Sequence, residues 1–283
     1  MIIVKLTGGL GNQLFQYSLG RCLVAKLRTI LKLDISNYEK NRLRSYCLGN
    51  FNIQENFADQ NEISKLEKKG WQKILNSLLP YSKKSYIQEE KIFFDKNILK
   101  AKNNTCLDGY WQSEKYFKDI ENIIRTEVTL KNKLSERVEQ IENNILATNS
   151  ISLHIRRGDY LNPKMSKIFE ICGHDYYSKA IDKILEIEKN PTFFIFSDDI
   201  EWAKNNLKIN YPIVFVSSQN IKDYEELFLM SSCKHNIIAN SSFSWWGAWL
   251  NQNPEKIIIA PSKRFKEESK NSKDFYPNSW VTI

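Results

Sequence analysis

The sequence predicts an α/β protein made of two tandem units, each built on a parallel β-sheet. Short apolar runs of strand length alternate with amphipathic helical segments along most of the 283 residues, which is typical of parallel sheets covered by helices. A hydrophobic content of 42% is enough for a core in one large domain or in two modest ones. Because the alternation becomes regular at Ile151, we place the boundary near residue 150, between domains 1–150 and 151–283.

The first domain opens with a β-α-β unit. "MIIVKLTGGLGNQLFQYSLGRCLVAKL" predicts a strand, a tight turn and a helix, and "TILKLDIS" predicts the second strand. Residues 52–104 are less regular, with charged helical pieces such as "EISKLEKKGWQKILNSLL" between short strand-like runs. A strand and turn in "CLDGYWQSEKYF" follow, and the polar helix in "NKLSERVEQIENNIL" is expected to bridge the two halves.

The second domain shows the clearest pattern. Five predicted strands, "ISLHI", "TFFIFS", "PIVFVS", "HNIIAN" and "KIIIAP", are separated by segments with helical periodicity. Strands that alternate with helices in this way form a parallel sheet with helices on both faces. Ligands of such sheets bind outside the carboxyl ends of the strands, so the residues that follow each strand are the candidates for function.

The composition favours a cytoplasmic protein. The five cysteines are scattered, odd in number and form no C-x-x-C pair, which argues against a disulfide framework and a structural zinc site. We find no secretory signal and no apolar stretch near the ~20 residues that span a bilayer. The net charge of +8 indicates mainly a lysine-rich surface, with a local anionic ligand or an acidic membrane face as the alternative.

The strand "ISLHI" ends in an unusual charge pattern, "RRGDY". Since side chains alternate along a strand, His154 and Arg156 are predicted to share a face, with Arg157 on the other. A guanidinium at a strand end matches the oxygens of a phosphate in a two-point geometry. Asp159 is expected to hold one of the arginines in place by an ion pair. The alternative is a solvated surface Arg–Asp pair.

The next strand ends in two adjacent carboxylates, Asp198 and Asp199. Their side chains are predicted to point to opposite faces, which makes them a poor clamp for a metal ion. One of them is expected to cap the following helix, and the other could accept hydrogen bonds from the base edge of a guanine. The sequence does not decide which residue takes which role.

A third motif, "ANSSFSWWGAWLN", leads from a strand into an aromatic helix. Free amides at a helix N-terminus, supplemented by the hydroxyls of Ser241 and Ser242, can bind a phosphate. Ordinary capping by serine is the alternative. The tryptophans are predicted to pack in the core because they lie on one helical face at positions 245, 246 and 249.

The N-terminal "GGLGNQ" is ambiguous. Gly9 and Gly11, with Asp34 after the second strand, partly match a dinucleotide-binding fingerprint, but Leu14 occupies the third glycine position. The competing interpretation is a tight turn that places Asn12 at a cleft between the two units. The three histidines lack metal-ligand spacing, so we expect no catalytic metal.

Taken together, "GGLGNQLFQY", "HIRRGDY", "FSDD" and "NSSFSWWGAWLN" resemble the α-1,2-fucosyltransferases of glycosyltransferase family 11. The resemblance spans nearly the whole chain and is weakest over residues 52–104 and after Pro261. It implies a GT-B fold of two Rossmann-like domains whose parallel sheets face across a cleft. The first domain would bind the acceptor and the second would bind GDP-β-L-fucose. It also implies inverting, metal-independent transfer of L-fucose to the 2-hydroxyl of a terminal β-galactosyl acceptor, with no cofactor.

The resemblance also implies roles for individual residues. Arg156 would hold the β-phosphate, Asp159 would orient the arginines, and Asn12 would face the reacting centre from the first domain. The donor would contact His154, Arg156, Arg157, Asp198, Asp199, Ser241, Ser242, Ser244 and Gly11. A galactoside-terminated glycan or lipid-linked oligosaccharide would be the acceptor, with possible peripheral contact at the cytoplasmic face of the inner membrane. No motif identifies the general base.

Two other classes of function compete with this one. A dinucleotide-dependent oxidoreductase would use Gly9, Gly11 and Asp34, but it leaves "HIRRGDY" and "NSSFSWW" unexplained. A non-catalytic nucleic-acid-binding protein would use the +8 charge, but the basic residues do not form the stripe with interleaved aromatic side chains that this function needs.

Overall fold

A computed structural model describes residues 1–40, 44–68, 70–217 and 220–283. Contacts divide the chain into two compact units. The first unit comprises residues 1–131 and 272–275, and the second comprises residues 132–271 and 276–283. None of the described helices is long and apolar enough to cross a membrane.

The first unit contains a four-stranded parallel sheet in the order β2-β1-β4-β3. Its strands are β1 (Ile2–Lys5), β2 (Leu31–Asp34), β3 (Tyr86–Gln88) and β4 (Thr105–Asp108). Its helices are α1 (Leu10–Leu27), α2 (Ser36–Lys40), α3 (Gln60–Leu66), α4 (Trp71–Leu78) and α5 (Glu121–Glu127). The predicted β-α-β opening is therefore confirmed. The stretch predicted as helical in residues 62–79 forms α3 and α4, and Lys69 between them lies outside the described residues.

Helix α1 packs closely on β1 because a glycine lies at the contact. A Cβ atom on Gly20 would come within 2.4 Å of Val4 Cγ2, so a larger residue would push the helix off the sheet. The buried amides of Gln13 and Gln16 fasten the surrounding loops. Gln13 bonds the carbonyls of Gly8 and Ser45, and Gln16 donates to the carbonyl of Gly109. These two glutamines therefore have structural roles.

The second unit contains a six-stranded parallel sheet in the order β10-β9-β8-β5-β6-β7. Its strands are β5 (Asn149–Ile155), β6 (Pro191–Ser197), β7 (Ile213–Phe215), β8 (His235–Ile237), β9 (Ile258–Ala260) and β10 (Val281–Thr282). Its helices are α6 (Glu136–Leu146), α7 (His174–Leu185), α8 (Ile200–Asn206), α9 (Asp223–Ser232) and α10 (Ser242–Leu250). The chain runs outward from β5 to β7 and returns to β8 on the other side of β5, which creates a topological switch point between β5 and β8.

The alternation predicted for β5 is confirmed. Ile151, Leu153 and Ile155 are fully buried in one cluster with helix α7, together with Phe193 and Ile195 of β6. Phe194 and Phe196, which alternate with these residues along β6, belong to a second cluster on the other face of the sheet. Both faces are therefore covered, as expected for a parallel sheet.

The domain boundary lies earlier than residue 150 because helix α6 belongs to the second unit. Its Val138 and Ile145 are buried in the cluster that also contains Phe194 and Phe196, and α6 packs against α9. The polar sequence around "NKLSERVEQIENNIL" suggested a bridge between halves, but two apolar residues on one helical face are enough to anchor it.

The tryptophans of α10 are core residues, as predicted. Trp245 and Trp246 are completely buried, and Trp249 is nearly so. The rings of Trp245 and Trp249 are stacked 6.1 Å apart, and Trp246 meets Trp249 edge-on at 5.2 Å. This aromatic packing fixes α10, and therefore fixes the position of its N-terminus at the carboxyl edge of the sheet.

We predict that burial of His154 makes stability depend on pH. His154 lies in β5 and is only 4% exposed, and burial, assisted by the charge of Arg156, lowers its pKa to about 3. An unfolded histidine titrates at about 6.5, so between these two values the unfolded state binds more protons and stability falls as pH falls. Lowering the pH from about 7.5 to 5 is expected to cost about 2 kcal/mol through this residue.

Urea unfolding of wild type and His154→Phe at both pH values measures this effect. Other groups titrate in both proteins, so the difference between the two pH dependences isolates His154. If the free energy of unfolding changes equally in both proteins, the histidine is not held neutral by burial.

Candidate functional site

The three motifs of the second unit meet at the carboxyl edge of its sheet. "HIRRGD" ends β5, "SDD" ends β6, and "ANSS" follows β8 and begins α10. Strand β5 is central and pairs with both β6 and β8, so the sheet topology itself brings the motifs together. The motifs lie at the switch point, where ligands of open α/β sheets bind.

Arg156 is held by two carboxylates. Its Nη2 lies 2.7 Å from Asp159 Oδ1, and its Nη1 lies 2.9 Å from Asp198 Oδ2. Burial by itself would lower the pKa of Arg156, but Asp198 and Asp159 outweigh burial and raise the pKa above its ordinary value. The guanidinium also lies 5.8 Å from the centre of the Tyr160 ring. Its charge and orientation are therefore fixed before any ligand arrives.

Arg157 points the other way and has a different environment. Its Nε lies 3.3 Å from Asp199 Oδ2, and its guanidinium lies 4.2 Å above the ring of Trp202 in α8. Its backbone N–H donates to Asp198 Oδ1 at 2.8 Å. The adjacent arginines thus pair with adjacent aspartates, one pair on each face. The geometry agrees with the predicted strand alternation, and the ion pair expected of Asp159 is made with Arg156.

Asp199 caps the helix that follows it. Its Oδ1 accepts from the backbone N–H of Trp202 at 3.1 Å, at the N-terminus of α8. Asp198 instead bridges Arg156 and the backbone of Arg157. Both carboxylates are therefore engaged by the chain itself. The predicted contact of one of them with a guanine edge stays a prediction, and Asp198 is the one that does not cap a helix.

His154 presents an unsatisfied polar atom at the same edge. Its Nδ1 is buried and has no hydrogen-bond partner among the described residues, and its ring lies 5.7 Å from that of Phe243. With its pKa lowered to about 3, the imidazole is neutral at physiological pH. A buried polar atom without a partner is costly, and a ligand atom would remove that cost.

The serines after β8 have unequal roles. Ser241 is the N-cap of α10, and its Oγ accepts from the N–H of Phe243 at 3.2 Å. Ser244 is completely buried and donates to the carbonyl of Ala239 at 3.3 Å. Ser242, in the first turn, is only partly buried. Ser242 and the amides of this first turn lie at the helix N-terminus, where an anion is favoured.

Glu226 of α9 was missed by the sequence analysis. Burial, and after it the charges of Asp223 and Asp198, raises the pKa of Glu226 to about 7, although a hydrogen bond with Ser217 opposes the shift. In the sequence it looks like one of several acidic residues that complement the dipole of a helix N-terminus. Only the fold places it near Asp198.

In the first unit, Asn12 lies in the first turn of α1, where its Oδ1 accepts from Gln112 Nε2 at 2.7 Å. This bond joins the first turn of α1, which follows β1, to the loop after β4, at the carboxyl edge of the first sheet. Gly11 is buried in the same turn. Asp34 is 2% exposed and accepts from the N–H of Ser36, so it does not offer a carboxylate to a ribose. That burial counts against the dinucleotide-binding alternative.

Trp111, which follows β4, is a further candidate that sequence reasoning missed. It is a non-glycine residue with φ of 55°, a strained conformation of the kind that clusters at functional sites. Both carboxylate oxygens of Glu89 stabilise this turn by accepting from the N–H groups of Tyr110 and Trp111. The buried Trp111 Nε1 has no partner among the described residues. A cavity of about 100 Å³ beside it is lined by Tyr81, Gln88, Glu89, Glu90, Lys91, Asp95, Ile98 and Trp111.

Over the ranges that the structure describes, no group of three or more His, Cys, Asp or Glu side chains is arranged to hold a metal ion. None of the five cysteines, all of which lie in the described ranges, forms a disulfide.

Two solved fucosyltransferase structures share the fold. The crystal structure of the NodZ α-1,6-fucosyltransferase soaked with GDP-fucose matches with a TM-score of 0.55, covering 91% of this chain and 94% of that chain at 13% identity. A mutant of FUT1 of Arabidopsis thaliana, in complex with GDP, also gives a TM-score of 0.55, covering 91% of this chain and 69% of that chain at 10% identity. At such identities the likeness concerns the fold alone, and it confirms the predicted GT-B-like α/β class.

The relatives in sequence are glycosyltransferases. An α-1,2-colitosyltransferase of Escherichia coli is 35% identical over 291 residues, covering 100% of this chain and 99% of that protein. The O-antigen biosynthesis glycosyltransferase WbnK of Escherichia coli is 34% identical, covering 98% and 99%. A galactoside α-(1,2)-fucosyltransferase 1 of Ateles belzebuth is 26% identical over 62% of this chain and 52% of that protein. The model of glycosyl transferase family 11 matches residues 1–283. The chain therefore belongs to glycosyl transferase family 11, as its motifs predicted.

Proposed function

We propose that this protein transfers L-fucose from GDP-β-L-fucose to the 2-hydroxyl of a terminal β-galactosyl acceptor. The anomeric carbon is inverted, and the product carries an α-1,2-fucosyl linkage. The observation that carries the proposal is the guanidinium of Arg156, held by Asp159 and Asp198 at the switch point of the second sheet. Beside it lie the unsatisfied Nδ1 of His154 and the N-terminus of α10.

The comparisons support the donor and the linkage. Of the fucosyltransferases that share this fold, one was soaked with GDP-fucose and another binds GDP. Relatives in sequence are named for α-1,2 transfer of colitose and of fucose, the latter to galactosides. An O-antigen relative that covers 98% of this chain favours a bacterial surface polysaccharide or its lipid-linked precursor as the acceptor. We accordingly propose a protein that works in the cytoplasm, in peripheral contact with the cytoplasmic face of the inner membrane.

The proposed chemistry explains the fixed positive charge. Fucosyl transfer passes through an oxocarbenium-like state while negative charge grows on the departing diphosphate. In this proposal no metal ion meets that charge, so Arg156 and the amides at the start of α10 must do so. Asp159 is 44% exposed, which makes its ion pair with Arg156 the weaker of the two. The donor diphosphate can replace Asp159, while the less exposed Asp198 keeps the guanidinium in place.

The acceptor is proposed to bind the first unit, near the strained turn at Trp111. The cavity there combines aromatic rings with carboxylates, and the buried indole N–H of Trp111 behind it has no hydrogen-bond partner among the described residues. Sugars present alternating apolar faces and hydroxyl groups, so a site with aromatic surface and hydrogen-bonding groups suits them. Asn12, at the edge of the same sheet, is proposed to face the reacting centre.

A second donor deserves a direct test because an α-1,2-colitosyltransferase is 35% identical over the whole chain. Colitose is L-fucose without the 3-hydroxyl group, so the two donors differ by one oxygen atom. The geometry of the diphosphate site is the same for both donors and cannot favour either.

The function is tested by incubation with GDP-fucose, GDP-colitose and other GDP-, UDP- and ADP-sugars, against a panel of galactosides. We expect transfer from GDP-β-L-fucose to a terminal β-galactoside, with an α-1,2 linkage in the product identified by NMR. Transfer from GDP-colitose alone would assign the second donor, and an unchanged anomeric configuration would contradict the inverting mechanism.

We predict that transfer continues in excess EDTA. The groups proposed to meet the phosphate charge are a guanidinium, hydroxyls and backbone amides, none of which depends on a metal ion. Initial rates with and without the chelator, after dialysis, provide the measurement. Complete loss of the rate, with recovery on addition of Mn²⁺, would overturn the proposed metal-independent mechanism.

We predict that Arg156→Lys lowers kcat about a hundredfold, or by about 3 kcal/mol, which is the cost of losing one preorganised donor at a developing anion. Lysine keeps the charge but lacks the planar fork that contacts two oxygens together. KM for the donor should rise less than kcat falls, because the leaving-group charge is larger in the transition state.

The neighbouring Arg157→Lys is the matched control. Arg157 packs on Trp202 and pairs with Asp199. Its replacement by lysine should therefore lower the thermal stability, and should reduce kcat much less than Arg156→Lys does. The expected order of activities is wild type, then Arg157→Lys, then Arg156→Lys. The reverse order for the two variants would assign the phosphate contact to Arg157.

A further inference from the structure

Helix α4 of the first unit exposes the side of the helix that would normally be buried. Its apolar residues Trp71, Ile74, Leu75 and Leu78 are 68%, 65%, 53% and 78% exposed, and Leu79, which follows, is 43% exposed. Spaced three and four residues apart, these side chains form one continuous face of the helix. A contiguous exposed apolar patch of this kind marks an interaction surface.

The polar side of α4 is the one that holds it to the first unit. Asn76 is the buried residue of the helix, at 8% exposure. Its side-chain amide donates to the carbonyl of Tyr86 in β3, and its Oδ1 accepts from the N–H of Ser85 at 3.2 Å. The usual arrangement of an amphipathic helix is therefore inverted. The five apolar side chains do not contribute to the core of the unit, so their exposure points to a partner outside the chain.

The same segment concentrates positive charge. Residues 65–84 contain six lysines and a single acidic residue, Glu67, in a chain whose net charge is +8. Lys73 lies on α4 itself and is exposed, and Lys65 and Lys83 are exposed on either side of it. Lys84 is buried, with its ammonium 4.5 Å above the ring of Tyr81, so it does not add to the exposed charge. The exposed lysines of this segment favour a negatively charged partner.

A helix with an apolar face, a tryptophan and flanking lysines has the composition of interfacial helices that lie in the headgroup region of a bilayer. Lysines reach anionic headgroups while their aliphatic stems remain on the apolar surface. A protein partner would need a complementary acidic groove, and a second copy of this chain would bring a similarly basic segment against it. The charge therefore favours lipid.

We propose that α4, with Leu79 and the exposed lysines Lys65, Lys73 and Lys83, is the surface by which this protein docks on a membrane that contains anionic lipid. This surface would make the peripheral contact with the inner membrane proposed above, so the proposal rests on that part of the proposed function. Its test uses vesicle binding, so its outcome does not depend on whether the protein transfers fucose.

The test is co-sedimentation with vesicles made of equal parts phosphatidylglycerol and phosphatidylcholine, compared with vesicles of phosphatidylcholine alone. We expect wild type to bind the anionic vesicles and to be released by high salt. The double variant Ile74→Ser, Leu78→Ser should bind at least about tenfold more weakly, because two large apolar side chains no longer enter the bilayer. Lys73→Glu should weaken binding and reduce its salt dependence.

Two matched controls use exposed residues of the second unit. Leu146→Ser, Ile187→Ser removes two apolar side chains that are 66% and 56% exposed, and Lys208→Glu reverses an exposed charge. Both controls should bind vesicles like wild type. Thermal unfolding, and fucose transfer to a water-soluble galactoside, should be unchanged in all four variants, which would show that the fold is intact.

Failure of wild type to bind anionic vesicles, or equal binding by the α4 variants, would overturn the proposal. Sedimentation-equilibrium measurements test the remaining alternative, in which a second copy of this chain covers α4. If wild type self-associates and Ile74→Ser, Leu78→Ser becomes monomeric while neither binds vesicles, a second copy of the chain covers α4 and the lipid proposal is wrong.

Discussion

The site depends on one electrostatic arrangement, the guanidinium of Arg156 held between Asp159 and Asp198. The two aspartates come from different parts of the chain, and they meet because β5 and β6 are parallel neighbours whose carboxyl ends lie at the same edge. A guanidinium restrained at two points loses little freedom when a diphosphate binds, and such preorganisation matters most where charge develops during the reaction.

The neighbouring residues and helices are positioned around this arrangement. Arg157 and Asp199 form the corresponding pair on the opposite face, where Trp202 covers the guanidinium and Asp199 begins α8. On the other side of β5, the buried tryptophans place the N-terminus of α10 at the same edge. Family 11 membership shows that the chain is a glycosyltransferase, and the two fucosyltransferase structures share its fold.

Much of this could be predicted from sequence because parallel α/β folds leave strong local signals. The period of two in Ile151, Leu153 and Ile155 correctly assigned the faces of β5, and the motifs after each strand were placed at one edge by topology alone. Other features depend on contacts between distant residues. The pKa of Glu226 comes from burial that its helical surroundings in sequence do not reveal, and the inverted face of α4 becomes visible only once Asn76 is seen to be buried. The small apolar face of α6 was likewise too weak to show that this helix belongs to the second unit.

A crystal structure of the protein with bound GDP shows directly whether Arg156 holds the diphosphate. We expect the β-phosphate to lie within hydrogen-bond distance of the Arg156 guanidinium and of the first-turn amides of α10, with Nδ1 of His154 bonded to the nucleotide. GDP bound instead at the Gly8–Asn12 turn of the first unit, with Arg156 still paired to both aspartates and distant from phosphate, would contradict it.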